Sequence, residues 1–207
     1  MQSARDLPED LALPLRSGAE WWYWLGGRPA VDLVNTLRER WRRRVETLVT
    51  PGDLGLWLVE AQLVPARPRV TRALLGETRD LREAIDACMS ATLAGTSAPR
   101  PAAREIDRWL VDVHPRLERV ASGALALSER PPVDTARAAL ASIALDAARM
   151  LGTPAEASRI RVCASETCSA RFYDRSPAGR RRWCSMALCG NEAKARRHRA
   201  RAKRAAA

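Results

Sequence analysis

The chain has 207 residues, 46% of them hydrophobic and 29% charged, with a formal net charge of +11. That length supports one mid-sized core plus a small module. No apolar run approaches the ~20 residues of a membrane span. The first residues scatter Leu among Asp6, Glu9 and Asp10, without the basic start and continuous apolar stretch of a secretory signal. A cytoplasmic, reducing location is the expectation, and there paired cysteines favour metal over disulfide.

The charge is placed unevenly. Residues 159–207 hold 14 Arg plus Lys against three acids, Glu166, Asp174 and Glu192, whereas residues 1–158 hold 21 basic and 21 acidic residues. All the excess lies in the last 49 residues, a pattern that points to a polyanionic partner for that part alone.

In chain order, residues 1–19 are polar and irregular, and a flexible N-terminus is expected. Trp21-Trp22-Tyr23-Trp24-Leu25 predicts a short strand packed on helices, with an aromatic ligand platform as the competing reading. Val31, Val34, Leu37 and Trp41 recur at helical spacing and predict one helix running to about Arg44 or Glu46. Thr50-Pro51-Gly52-Asp53 carries a capping box and an N1 proline for a helix with Leu54, Trp57 and Leu58. Residues 69–93 predict the longest helix, with Leu74, Leu81, Ile85, Cys88, Met89 and Leu93 on its buried stripe. Cys88 on that stripe reads as a core residue. Residues 102–113 predict a further helix, and alternation across residues 115–130 predicts a small hairpin. Asp134 is placed as the cap of an Ala-rich helix through Leu151. Thr153 and Glu156 have capping-box spacing. Nothing in residues 1–158 has a catalytic pattern, and His114 reads as a surface or hairpin histidine.

The informative stretch begins at Cys163. Two pairs, Cys163/Cys168 and Cys184/Cys189, have identical spacing and are separated by fifteen residues. Ile160-Arg161-Val162 and Arg171-Phe172-Tyr173 predict strands that place the first pair at a hairpin tip. Five residues along one helix turn ~500°, so the second pair converges only if Cys184 precedes a helix and Cys189 lies in its first turns. Ser185 suits the cap. Hairpin, knuckle and helix start make a treble-clef-like arrangement. Four thiolates close a tetrahedral site, so structural Zn²⁺ is expected; an iron–sulfur cluster or disulfides are the alternatives. Beyond it, Lys194, Arg197 and Arg201 share one face of a helix with no large apolar residue, and Arg180, Arg181 and Arg182 precede the second pair. These six are the candidate nucleic-acid contacts.

Arg161-Val162-Cys163, Cys168, Arg182-Trp183-Cys184-Ser185-Met186 and Cys189-Gly190-Asn191, followed by Ala193-Lys194-Ala195-Arg196, resemble the CGNR zinc finger. Gly26-Gly27-Arg28-Pro29-Ala30-Val31-Asp32-Leu33-Val34-Asn35-Thr36 and the Leu54…Trp57-Leu58 helix resemble the ABATE domain that precedes it. The resemblance implies a bacterial, stress-related transcription regulator with a zinc-bound, DNA-binding finger. One position departs: the motif's fourth residue is Arg, and Glu192 stands there.

The expected fold is mainly α. It comprises a flexible stretch over residues 1–19, an ABATE-like helical domain with a short strand and small hairpin over 20–152, and a linker over 153–158. A treble-clef-like, four-cysteine zinc finger ending in a basic helix follows over 159–207. The expected function is zinc-dependent binding of double-stranded DNA, with a helical domain that dimerises or senses a ligand. RNA binding, or protein docking with the finger as scaffold, are the other readings. An enzyme is not expected, because the metal site is closed.

Overall fold

The computed structural model describes residues 7–111, 113, 116–128 and 135–205. Five helices build the larger part: α1 (Pro29–Val34), α2 (Pro51–Glu60), α3 (Arg72–Ala94), α4 (Arg100–Arg108) and α5 (Ala136–Gly152). A one-turn α6 (Pro154–Ala157) leads to the C-terminal region, which ends in α7 (Asn191–Ala205). Three antiparallel hairpins complete the described fold: β1 (Leu37–Arg38) with β2 (Val45–Glu46), β3 (Arg116–Arg119) with β4 (Leu125–Ser128), and β5 (Ile160–Val162) with β6 (Arg171–Tyr173). The architecture is mainly α with small strands, as the sequence predicts.

Local chemistry sets the helix ends. The Thr50 hydroxyl accepts from Asp53 N–H at 3.1 Å, and Asp53 Oδ2 accepts from Thr50 N–H at 2.7 Å. That reciprocal box, with Pro51 at the first position, starts α2. Thr71 caps α3 through Leu74 N–H, and Gly95 ends it in the left-handed region at φ 65°. Thr135 caps α5 through Ala138 N–H; Asp134, the residue expected in that role, lies outside the described residues, as does His114.

The buried stripes meet in one core. Leu54, Trp57 and Leu58 of α2, Leu81, Ile85, Cys88 and Met89 of α3, and Leu140, Ile143, Ala147 and Met150 of α5 pack with Val31, Leu33 and Val34 of α1. Cys88 is a core residue, as its place on the stripe predicts. Leu93 is 39% exposed and closes no part of the core.

Three local expectations are corrected. First, α1 stops at Val34. Thr36 turns its hydroxyl back to Leu33 C=O, and the chain enters the β1–β2 hairpin, where Thr47 N–H and hydroxyl both bond Thr36 C=O. Glu39 and Arg44 take positive φ to make that turn. The helical spacing of Leu37 and Trp41 was coincidental: Leu37 is buried through the hairpin, and Trp41 is 48% exposed. Second, the aromatic run forms no ladder. A 3-10 turn (Ala19–Trp21) is followed by extended backbone with no β partner among the described residues. Third, Thr153 makes no side-chain cap; Glu156 instead accepts from Tyr173 Oη at 2.9 Å and pairs with Arg28.

The extended run has another use. Trp22 lies in the helical core with Trp24 packed against it, whereas Tyr23 and Leu25 face a second cluster built around Cys163, Cys168, Ala170, Phe172, Cys184 and Cys189. Alternation of period two puts each face of the segment into a different core. More bonds cross the same seam. The Asn35 carboxamide donates to Arg171 C=O and accepts from Arg171 N–H, both at 2.9 Å, so it acts as one further strand residue beside β6. Tyr173 N–H donates to Gly26 C=O at 2.7 Å, and the Arg171 guanidinium donates to Asp86 at 3.0 Å. Ile160 and Tyr173 are themselves members of the helical core.

Candidate metal centre and nucleic-acid interface

The β5–β6 hairpin carries Cys163 and Cys168 at its tip, with Cys163 N–H bonded to Ala170 C=O at 3.0 Å. Ala164 N–H bonds Arg182 C=O at 2.8 Å, which draws the segment before Cys184 alongside the hairpin. Cys184 then precedes a π-turn (Met186–Gly190) that contains Cys189 and runs into α7. Ser185 caps that turn, its hydroxyl accepting from Leu188 N–H. The widened turn is the physical answer to the five-residue spacing: it adds a residue to the first turn and swings Cys189 back toward Cys184.

All four sulfurs lie within 4.8 Å of one another, and all four cysteines are buried. Cys184 Sγ is 3.7 Å from Cys189 Sγ and 3.9 Å from Cys168 Sγ. Those separations far exceed the ~2.05 Å of a disulfide. They match the ~3.8 Å edge of a tetrahedron whose centre lies ~2.3 Å from each sulfur, the Zn–S distance. The electrostatics point the same way. Hydrogen bonds from Cys168, Cys184 and Cys189 hold the Cys163 thiol far below its ordinary value, whereas the thiols of Cys184 and Cys189 are pushed far above theirs by Cys163 and Cys168. Cys168 is lowered as well, so two thiols of the cage lose their protons readily and two resist. A divalent cation at its centre would supply the charge that four thiolates need.

Asp174 organises the link between the two pairs, and its role was not legible in the sequence. Its carboxylate accepts from Ser176 N–H at 2.9 Å and from Arg181 N–H at 2.8 Å, which folds the loop between β6 and Cys184. Burial alone would raise its pKa, but those hydrogen bonds outweigh burial and hold it below the ordinary value. The signal available was a lone acid in a run of arginines.

The six candidate contacts divide. Arg180 and Arg182 are exposed, and Arg182 stacks over Trp183 at 5.1 Å. Arg181 is committed inward: its guanidinium donates to Trp183 C=O at 3.3 Å and Cys184 C=O at 2.6 Å, and lies 5.1 Å over the Phe172 ring. Lys194, Arg197 and Arg201 are exposed and line one shallow open groove with His198. Their neighbour Arg196 pairs with Glu166 at 3.4 Å. Past Ala193, which is buried, the side chains described on α7 are exposed except for the half-buried Arg196. Glu192 points elsewhere: it lines a cleft with Arg38, Glu39, Arg42 and Ser169, away from the basic face. Asn191 donates to Ala187 C=O at 3.3 Å, bracing the junction between π-turn and helix.

A closed four-cysteine cage joined to an exposed basic helix, seated on a helical domain, defines a metal-binding zinc-finger protein. Two family profiles match it, in that order along the chain. Residues 27–154 match ABATE, described as "Putative stress-induced transcription regulator", and residues 159–202 match the CGNR zinc finger. The ABATE match covers more than half of the 207 residues, so the chain belongs to the ABATE family. Both families are regulatory or zinc-finger families rather than enzyme families. A search of curated proteins finds no significant match. Among the described residues, no helix is long and apolar enough to cross a membrane.

Proposed function

We propose that the chain is a zinc-dependent DNA-binding transcription regulator. Zn²⁺ sits in the cage of Cys163, Cys168, Cys184 and Cys189 and fixes the start of α7; the helix then presents Lys194, Arg197 and Arg201 to duplex DNA. One observation carries the reading: the last metal ligand lies in the π-turn that becomes the basic helix, so metal loss removes the helix's anchor. Four sulfurs leave no coordination position for a substrate, and the metal's role is structural. Arg180 and Arg182 clamp the phosphate backbone, and Arg181 holds the knuckle rather than the nucleic acid. Glu192 faces the cleft beside Arg38 and Arg42, so its negative charge does not oppose the phosphates directly.

The helical domain offers a surface for a second copy. Leu117, Leu125 and Leu127 of the β3–β4 hairpin are each 65% or more exposed, an unusual cost for a monomer. Sedimentation at rising concentration tests the dimer, which Leu117→Asp with Leu127→Asp should dissolve.

Competition decides the partner. The metal-loaded protein is bound to labelled duplex DNA and challenged with unlabelled DNA and RNA of equal length. Preference for DNA supports the reading; preferential displacement by RNA shifts it to an RNA-binding module; no binding to either at low salt removes it.

A further inference from the structure

A cavity of about 520 Å³ opens where the aromatic run meets α1 and the end of α2. Trp22 and Trp24 wall it, Asp32 and Pro29 line the α1 side, and Glu60 and Gln62 form the rim. Its size suits a small organic molecule. Three features set its chemistry. First, the Trp22 and Trp24 indoles stand at 76° with centroids 6.4 Å apart, a corner rather than a stack. Both walls are held: Trp22 Nε1 donates to Thr47 C=O at 3.2 Å, and Trp24 stacks on the buried Trp57 at 5.6 Å. Second, among the described residues the charged groups lining the cavity are two acids, Asp32 and Glu60, with no Lys or Arg, in a chain of net charge +11. Third, α2 ends at the cavity, so the negative end of its dipole faces it.

Asp32 is the centre of the argument. Its Oδ1 accepts from Gly26 N–H at 2.8 Å; among the described residues, Oδ2 has no hydrogen-bond donor. Burial lifts this carboxyl to about 7, opposed by the Gly26 hydrogen bond and by Arg175, which bonds Gly27 C=O from the finger side. The N-terminal N–H of α1 at Ala30 does not compete for a ligand, since it donates to Asp146. A fixed aromatic corner sharing a cavity with a half-buried, half-satisfied carboxylate attracts cations and disfavours anions.

We propose that this cavity binds a small organic cation, an alkylammonium group held against Trp22 and Trp24 with Asp32 as counter-ion and Glu60 at the rim. It deepens the ligand-sensing role expected of the helical domain and does not rest on nucleic-acid binding. The site nonetheless touches the finger's anchor: Gly26 holds Asp32 through its N–H and Tyr173 of β6 through its C=O. Gly26 has no room for a side chain, because a Cβ there would lie 2.7 Å from Asp32 backbone and carboxylate atoms. A ligand on Asp32 therefore acts on the same residue, Gly26, whose carbonyl holds Tyr173 of the finger.

Calorimetry on the full metal-loaded chain tests the site, with choline as the probe and its neutral carbon isostere 3,3-dimethylbutan-1-ol as the control. The expected result is saturable choline binding, no matching heat from the isostere, and about tenfold weaker binding for Asp32→Asn. Glu60→Gln, at an exposed position, should weaken binding about twofold without touching the fold. Absence of saturable choline binding, equal binding of the neutral isostere, or unchanged affinity in both variants overturns the proposal. The readout involves no nucleic acid, so failure here leaves DNA binding standing, and failure of DNA binding leaves this site standing.

Discussion

Asp174 shows how a single buried carboxylate governs a site it does not ligate. It accepts two backbone N–H bonds that close the loop between β6 and Cys184. An asparagine has one acceptor oxygen and a competing amide N–H, so Asp174→Asn leaves a backbone donor unsatisfied. The expected cost is roughly 1–3 kcal/mol at neutral pH, read from denaturant unfolding. The pH dependence follows from the lowered folded-state pKa. The carboxylate's contribution is fully present above its unfolded value, ~3.9, and is lost as pH falls through the lower folded value. Wild type and variant should therefore converge in stability in strong acid. A constant difference across pH would show that charge is not what Asp174 supplies.

Among the elements, those with local signals were legible and those decided by distant contacts were not. The α2 cap needed only Thr50, Pro51 and Asp53, and its geometry is as the sequence predicts. The cysteine pairs were legible because ligand chemistry restricts spacing, and the requirement that Cys184 precede the helix is met. The π-turn that satisfies it leaves no trace in propensity. The break after Val34 depends on Thr36 meeting Thr47, eleven residues on, and the apolar period carried straight through it. The aromatic run, expected as a strand, pairs with none among the described residues: it runs extended past Trp21 and packs between two cores. For α7 the prediction is electrostatic. Alanine at Lys194, Arg197 and Arg201 should flatten the dependence of log affinity on log salt by roughly one unit per residue. Arg181→Ala should instead lower metal retention and leave the slope nearly unchanged, because its guanidinium is spent on Trp183 and Cys184 carbonyls.

At the scale of the whole molecule, the finger is part of the body rather than an appendage. Phe172 and the cysteines face one cluster while Ile160 and Tyr173 complete the other. Composition alone had separated a neutral part from a basic one; what it could not show is that Asn35, Arg171, Gly26 and Tyr173 weld them together. The Asn35 carboxamide is the most economical place to test the weld. Asn35→Ala leaves a backbone N–H and C=O of Arg171 without partners, at a cost of about 1–3 kcal/mol. The expected signature is faster hydrogen exchange across β5 and β6 with α2 and α5 unaffected. Uniformly faster exchange would mean that the seam has no stability of its own.

The central claim is that the metal cage and the polyanion-binding helix are one device. Fluorescence anisotropy of a labelled duplex tests it most directly, with the chain as metal-loaded protein, after chelation, and after zinc is restored. Binding that is salt-dependent, lost on chelation and recovered with zinc is the predicted result. Equal affinity before and after chelation, with the metal verifiably removed, would contradict it.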